Sequence, residues 1–281
     1  MTKYKTALFN LEVIKKKTLS PRQSDILNAF ACEDTANAAC QIDFYCPALT
    51  EVEEAEDYLW TLWIFMIDIA SSPDVTSEIH EHFVSILQDL AQIGKGDLLV
   101  WNAERRVWRD LPLFPQCMDV SLDDPMNETE EFTPESVQKW RNLCSFAARC
   151  MGAGTLGPYV QVVDALREAL EEELDTGQHL DRAECRVQVA CEWIAHGAKP
   201  LLWWAQENIG YANAAEDVTQ YFPRGSLYKG PPVVCLQRWG FWQTRFEELG
   251  KDPRFSEEIQ KAALEAAQTM TAVERHIAHT L

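Results

Sequence analysis

The sequence predicts an all-α protein, a single irregular bundle of about nine or ten helices. Helix start signals recur along the chain, apolar residues repeat at helical spacing, and no series of evenly spaced strands is present. Ser20-Pro21 and Thr133-Pro134 each place a capping side chain before a proline at the first helical position. We therefore expect a helix to begin at each of these two pairs.

Three helices are predicted before residue 97. The first starts at Pro21, the second contains the run YLWTLWIFMIDIA and ends near Ser72, and the third ends near Gly94, a residue that suits a helix C-terminus. Asp68 lies inside the apolar run of the second helix. A solvated stripe and a buried carboxylate with a raised pKa are both compatible with its position.

The segment around residues 97–132 differs from the helical pattern. β-branched and aromatic residues flank a polar turn in DLLVWNAERRVWRDLPLFP, which allows a short hairpin. Pro112, Pro115 and Pro125 exclude a long helix. Of the two alternatives, we favour a long ordered loop with helical turns over a hairpin.

Helices resume at Thr133 and continue to the end of the chain. Two separate helices are predicted around Gly197, one containing RAECRVQVACEWIAH and the next, PLLWWAQEN, starting at Pro200. The last begins at Ser256 and carries a regular apolar stripe. No fixed-period repeat and no linker rich in Gly, Ser or Pro is present, so residues 1–281 are predicted to form one domain.

Composition excludes several classes of function. The net charge is −19, which disfavours nucleic acid and anionic membrane surfaces as partners. No apolar run approaches the roughly 18 residues of a transmembrane helix, and residues 1–10 lack the continuous apolar region of a secretory signal. Nine cysteines are scattered with no CxxC pair. This pattern predicts a reduced, cytoplasmic protein.

The segment SLYKGPPVVCLQRWGFWQTRFEEL, residues 226–249, is the richest in aromatic and cationic side chains. Trp239 and Trp242 lie on one face of a predicted helix, and Arg238 and Arg245 lie on its flank. Two interpretations remain open. The segment is either a core helix whose arginines pair with acidic neighbours, or the wall of a pocket that holds a flat or anionic ligand.

A second group of polar residues lies on the helix around Trp193. Glu192 precedes His196 by one helical turn, so the two side chains can pair, and Arg186 and Trp193 share their side of the helix. Such a pair is sufficient for proton transfer without a cofactor. The alternative is a histidine that complements the dipole of a helix end, since Gly197 follows directly.

Metal and nucleotide sites are not predicted. His80 and His82 are two residues apart and therefore point to different faces of a helix. The glycines of CMGAGTLG lie between two predicted helices and lack the preceding strand that a phosphate-binding loop requires. We expect no metal and no cofactor.

The segment LYKGPPVVCLQRWGFWQTRF resembles the C-terminal signature, Leu-Tyr-x-Gly-Pro followed by Arg-Trp-x-x-Trp, of a family of fungal helical proteins of unknown function. FAAR at 146–149, ALREALE at 165–171 and Trp193-Ile194-x-His196 are similar to the same family. The resemblance spans most of the chain and implies a fungal, soluble, helical protein. It implies no catalytic residues. Some relatives accompany natural-product biosynthesis genes, which implies small-molecule chemistry.

Two functions from different classes follow. The favoured one is a cofactor-independent cyclase or isomerase of secondary metabolism, acting on a flat, partly aromatic small molecule, as in ring closure of a chalcone. His196 would be the acid–base residue and Glu192 would orient it. The predicted substrate-binding residues are Arg186, Trp193, Tyr228, Arg238, Trp239, Trp242 and Arg245.

The alternative is a non-enzymatic helical interaction or scaffold protein. Its acidic faces and exposed aromatic residues would bind another protein, or a second copy in a homodimer. A contiguous exposed apolar patch would favour this alternative, whereas an enclosed pocket would favour the enzyme.

Overall fold

The computed structural model describes residues 19–278 except 102, 123, 127–131, 158–159, 178 and 210–221. These residues form ten helices and one two-stranded antiparallel sheet, which confirms the all-α prediction. In none of the described helices is there a stretch long and apolar enough to cross a membrane. The elements in chain order are α1 Pro21–Phe30, α2 Thr35–Tyr45, α3 Val52–Ser71, α4 Ser77–Leu90, β1 Asp97–Val100, β2 Ala103–Arg106, α5 Phe114–Ser121, α6 Pro134–Gly152, α7 Val160–Leu170, α8 Leu180–Glu207, α9 Leu236–Leu249 and α10 Glu257–Ala278.

The start of α1 shows why the sequence signals were informative. The Ser20 side chain accepts a hydrogen bond from the backbone N–H of Gln23, and the Gln23 side chain accepts one from the backbone N–H of Ser20. Pro21 occupies the first turn, where its missing N–H has no helical acceptor to lose. Two of the N–H groups that this helix end leaves without a helical acceptor are thereby satisfied by side chains.

Helix α8 is continuous, so the prediction of two helices around Gly197 is wrong. Pro200 lies inside this helix and has no N–H to donate to the carbonyl of His196. Gly152, at the end of α6, packs directly against that carbonyl: a Cβ added at Gly152 would lie 2.1 Å from the His196 oxygen. The helix therefore continues through the proline, and Gly152 packs against the carbonyl that the proline leaves without its helical donor.

The segment 97–132 contains both a hairpin and a helix. Strands β1 and β2 pair antiparallel, with Asp97 opposite Arg106 and Leu99 opposite Glu104. The preference for an ordered loop over a hairpin is therefore wrong at 97–106, where the less favoured hairpin is present. Helix α5 follows, short as the prolines require, with Pro115 in its first turn.

The tip and the outer edge of this hairpin are unusual. Trp101, in the turn, has φ +48° and is 62% exposed, although that conformation favours glycine or asparagine. Asp110 occupies the free edge of β2: its carboxylate accepts the backbone N–H of Arg106 at 2.8 Å, and its own N–H donates to the Arg106 carbonyl at 2.9 Å. Both the backbone N–H and the backbone C=O of Arg106, the last residue of β2, are thus hydrogen-bonded at this edge.

The chain divides into two compact units. The first comprises residues 1–124 and 134–146, and the second comprises residues 125–133 and 147–281. Helix α6 contributes residues to both. The prediction of one domain over residues 1–281 stays a prediction.

The core of the first unit is organised by two tryptophans. Trp63 and Trp108 are fully buried, with ring centroids 6.2 Å apart in an edge arrangement. The Trp63 Nε1–H donates to the Pro112 carbonyl at 2.8 Å, and the Trp108 Nε1–H donates to Asp43 Oδ1 at 2.6 Å. These bonds anchor the segment that follows the hairpin to α2 and α3. Asp68 is exposed on α3, so the solvated alternative is confirmed for it.

The core of the second unit lies around α8, which packs against α7, α9 and α10. Trp193 of α8 and Trp239 and Trp242 of α9 are buried there. The apolar stripe predicted for α9 therefore faces the core.

Candidate functional site

The predicted ligand-binding arginine Arg238 lies in a fully buried ion pair. Its side chain and that of Glu171 are both 0% exposed. Arg238 Nε donates to Glu171 Oε1 at 2.6 Å, and Nη2 donates to Oε2 at 3.1 Å. Trp242 Nε1–H donates to the same Oε1 at 2.7 Å. A buried carboxylate requires this number of donors, because it has lost its hydration.

The loop before α9 closes over this ion pair. The backbone N–H of Gly225 donates to Glu171 Oε2 at 2.9 Å, and Arg238 donates to the carbonyls of Phe222 and Pro223. A Cβ at Gly225 would lie 2.5 Å from the Glu171 carbonyl oxygen, so only glycine permits this approach. The loop therefore fixes α9 to the end of α7. This supports the core-helix interpretation of residues 226–249.

The remaining predicted aromatic residues of this segment are also enclosed by protein groups. Tyr228 is buried, with its hydroxyl 3.7 Å from Cys235 Sγ and its ring centroid 5.5 Å from the Arg238 guanidinium carbon. Burial is the main reason that the pKa of the Tyr228 hydroxyl is raised above its usual range. Trp239 Nε1–H donates to Glu274 Oε1 at 2.6 Å. The predicted substrate-binding role of Tyr228 and Trp239 stays a prediction.

Arg245 lies partly exposed on the rim of α9. Its Nε donates to the Leu170 carbonyl at 3.1 Å, and its Nη1 lies 2.5 Å from Glu248 Oε2. The former bond satisfies a carbonyl at the C-terminus of α7. Arg245 therefore pairs with an acidic neighbour at the rim, as the core-helix interpretation expects.

The structure brings the predicted acid–base pair together. His196 Nε2 lies 3.6 Å from Glu192 Oε2, and both side chains are partly exposed. Trp193, between them in sequence, is instead fully buried. His196 also lies mid-helix because α8 is continuous, so the proposed interaction with a helix end is wrong.

Arg186 lines an open cleft of about 330 Å³ in the second unit and pairs with Glu168. The residues around this cleft do not include His196. Arg182 and His179 line it as well, together with several carboxylates. Arg182 donates to the Met126 carbonyl, so both arginines of the cleft bind protein groups. The lining is Glu168, Glu172, Glu173, Leu174, Asp175, His179, Arg182, Ala183 and Arg186.

A second cleft, of about 630 Å³, lies in the first unit between the end of α4 and the base of the hairpin. We call it the basic cleft, because three of its lining side chains are cationic and one is acidic. None of its residues was among those predicted from the sequence. The lining is Ala91, Gln92, Ile93, Gly94, Lys95, Gly96, Asp97, Arg106, Val107 and Arg109.

The three cations of the basic cleft differ in their partners. Lys95 Nζ lies 3.0 Å from Asp43 Oδ1, and Arg106 Nη2 lies 2.9 Å from Asp110 Oδ1. The hydrogen bonds from Arg106 hold the pKa of the Asp110 carboxyl below its usual value. Arg109 is exposed and has no ion-pair partner among the residues that the structure describes. It is therefore the cation available to a ligand.

The loop between α4 and β1 exposes its backbone to the basic cleft. A Cβ at Gly94 would meet no atom within 4 Å, and Gly96 has φ +121°. Within the described part of the chain, the N–H groups of residues 94–96 have no hydrogen-bond acceptor. Free amides beside an unpaired arginine provide the donors that an oxyanion requires.

A family described as protein of unknown function (DUF3632) matches residues 63–246, which is more than half of the 281 residues. The chain belongs to this family. The matched range includes the basic cleft and the Glu171–Arg238 pair, so both are features of the DUF3632 region. No curated protein and no solved structure matches the chain.

The histidines of this DUF3632 protein that lie close in sequence serve the fold. His80 Nε2 lies 2.8 Å from the Ala70 carbonyl, and His82 Nε2 lies 2.9 Å from the Phe30 carbonyl. Both carbonyls are at helix C-termini, where the helix provides no donor. Across the described residues, no group of three or more His, Cys, Asp or Glu side chains could hold a metal ion.

One signal in the DUF3632 sequence pointed to the basic cleft. Residues 95–109 carry four basic and two acidic side chains, whereas the whole chain has 25 basic and 44 acidic residues. This local reversal of charge, next to Gly94 and Gly96, marks the segment. Periodicity does not reveal it, because the residues come from a loop and two short strands.

Proposed function

We propose that this protein binds a small organic anion in the basic cleft. The observation that carries the proposal is the lining itself: three cations and one carboxylate, in a chain with a net charge of −19. Cations concentrated in a concave site of an acidic protein favour an anionic ligand over the general surface. Arg109, which has no ion-pair partner in the described part of the chain, would make the principal contact.

Hydrogen-bond donors favour a ligand with one negative charge. Lys95 and Arg106 are each neutralised by an aspartate, and the charge of Asp97 offsets that of Arg109. The anionic group would therefore be held by direct hydrogen bonds from Arg109 and the backbone amides of residues 94–96, which suffice for one carboxylate or phenolate, whereas the second charge of a dianion would be uncompensated. Ile93 and Val107 offer apolar contacts for the remainder of the ligand.

The test is isothermal calorimetry with benzoate and hexanoate as probes. Arg109→Gln removes the charge of an exposed side chain, so folding is expected to be unchanged while affinity falls about 10- to 100-fold. Arg105→Gln is the matched control, because Arg105 is exposed nearby but does not line the basic cleft. Equal affinity of the two variants, or no binding by the unaltered protein at millimolar probe, would refute the proposal.

A second candidate function is the cofactor-independent cyclase or isomerase of natural-product metabolism. It is favoured by the 3.6 Å separation of His196 Nε2 and Glu192 Oε2 on a partly exposed helix face. Glu192 would orient the imidazole, which would remove a proton from a phenolic substrate and return it after ring closure.

This candidate is tested by following the absorbance of a hydroxychalcone in the presence of the protein. His196→Gln is expected to lower the rate at least about 100-fold, the usual contribution of a general base. Glu192→Gln should lower the rate less than His196→Gln, because it removes the residue that orients the imidazole and leaves the base in place. Full turnover by the His196→Gln variant would contradict the assignment.

A further inference from the structure

We infer that the basic cleft continues along the outer face of the hairpin, and that its ligand is an elongated amphipathic monoanion whose apolar part lies over Leu99 and reaches Trp101. The inference rests on the proposed function and extends it, because it names the class of ligand. It depends on the strand register, on the exposure of two apolar side chains and on the backbone conformation of Trp101.

The register places Leu99 on the same face of the hairpin as Asp97 and Arg106, two residues of the cleft. Asp97 and Arg106 face each other at the base of the hairpin, and both line the basic cleft. Leu99 is two residues further along β1, and side chains two apart on a strand share a face. Leu99 is therefore the next side chain beyond the cleft, about 7 Å from Asp97.

Burial along β1 supports this assignment of faces. Leu98 and Val100 are buried, whereas Leu99 is 55% exposed and Trp101 is 62% exposed. The inner face of the hairpin thus contributes to the core of the first unit. Leu99 of the outer face and Trp101 of the following turn therefore present two large apolar side chains to solvent.

Trp101 has no evident role in stability. At φ +48°, a tryptophan is less favourable than glycine or asparagine, and exposure of the ring yields little burial in return. A tryptophan whose backbone conformation and exposed ring are both unfavourable is explained if a bound molecule covers the ring. A ligand held in the adjacent cleft by its anionic group is placed to do so.

The charges beside Leu99 restrict the ligand further. Glu104 lies opposite Leu99 on the same face and is exposed. A second negative charge on the ligand at this point would be repelled, so the part beyond the cleft is uncharged. From Asp97 to Trp101, the first residue of the turn, the chain spans at most about 13 Å, on the order of ten carbon atoms in an extended chain. Decanoate is therefore a suitable probe.

The experiment measures calorimetric affinities of acetate, hexanoate and decanoate for three proteins. For the unaltered chain, we expect affinity to rise about twofold to fourfold per methylene from hexanoate to decanoate, the gain for partly to fully buried methylenes. Trp101→Asn keeps a residue that tolerates the left-handed backbone, so it should fold. It should weaken decanoate binding at least about tenfold and leave hexanoate unchanged. Trp203→Gln is the control, since Trp203 is an exposed tryptophan of the second unit.

The outcomes separate this inference from the proposed function. If no carboxylate binds, both fail. If Arg109→Gln weakens hexanoate binding to the extent expected above but Trp101→Asn leaves decanoate binding unchanged, the proposed function stands and the inference is overturned. A flat affinity series also overturns it. Sedimentation velocity adds one further outcome: a dimer that dissociates in the Trp101→Asn variant would show that a second copy, and not a ligand, covers the tryptophan.

Discussion

Arg238 and Glu171 form a two-point ion pair with both side chains fully buried, joined by hydrogen bonds of 2.6 and 3.1 Å. The pair is separated by 67 residues in sequence. It holds α9 and the preceding loop onto the end of α7. Removing one partner would therefore leave the other charged and without a counter-ion in the core of the second unit.

Glu171→Gln is expected to lower the free energy of unfolding by about 3–5 kcal/mol, the cost of leaving one buried charge unpaired. Urea denaturation followed by circular dichroism provides the measurement. Glu248→Gln breaks the exposed pair with Arg245 and should cost less than about 1 kcal/mol. Similar midpoints for the two variants would show that the buried pair does not hold α9.

Gly152→Ala is expected to destabilise the protein by about 1–3 kcal/mol, because the new Cβ would collide with the backbone carbonyl of His196. Gly240→Ala is the matched control: Gly240 lies in α9, and an added Cβ there would meet no atom within 4 Å. Alanine is the better helix former, so this variant should gain about 1 kcal/mol. Thermal unfolding would compare the two, and a neutral Gly152→Ala would contradict the close packing of α6 and α8.

Native alkylation should be confined to two thiols. Cys40 is exposed and Cys32 is partly exposed, whereas the other seven cysteines are buried. Burial raises the pKa of Cys46 to about 11 and that of Cys117 to about 12. At pH 8 the thiolate fraction of Cys46 is then on the order of 0.1%, too little for rapid reaction.

Mass spectrometry after iodoacetamide treatment would check this expectation. Cys40 should react first and Cys32 second, and the remaining sites should react only in denaturant. If Cys46 reacts as fast as Cys40 in the folded protein, its burial is wrongly described.

The two buried histidines should tolerate glutamine better than leucine. His82 Nε2 lies 2.9 Å from the Phe30 carbonyl at the C-terminus of α1. A glutamine amide can donate to the same carbonyl, whereas His82→Leu leaves it without this donor at a cost of about 1–3 kcal/mol. Unfolding free energies of the two variants give the difference directly. A leucine variant as stable as the glutamine variant would argue against a stabilising bond.

The features that the sequence predicted correctly are those set by interactions between residues close together in the chain. The cap at Ser20 involves residues three apart, and the apolar stripe of α9 involves residues three and four apart. Both are confirmed. The helix break predicted at Pro200 is wrong, and the packing of Gly152 against the His196 carbonyl is a tertiary contact that no pattern near the proline reveals.

The candidate sites were harder to predict for the same reason. Spacing placed Arg238 on the flank of a helix, but its burial depends on Glu171 and on the loop that contains Gly225. Adjacency in sequence placed Trp193 with His196, yet the tryptophan faces the core. The basic cleft combines a loop with two short strands, and only their tertiary arrangement brings Lys95 and Arg109 together.

The two hydrogen bonds that Asp110 forms with the backbone of Arg106 also affect the tendency of the hairpin to aggregate. A hairpin with an open edge can template the addition of strands from other molecules, and exposed apolar side chains near that edge increase the hazard. Asp110 occupies the backbone N–H and C=O of Arg106, at the end of β2, where an incoming strand could pair. The base of the hairpin is thereby closed to strand addition at this residue, in a segment that exposes Leu99 and Trp101.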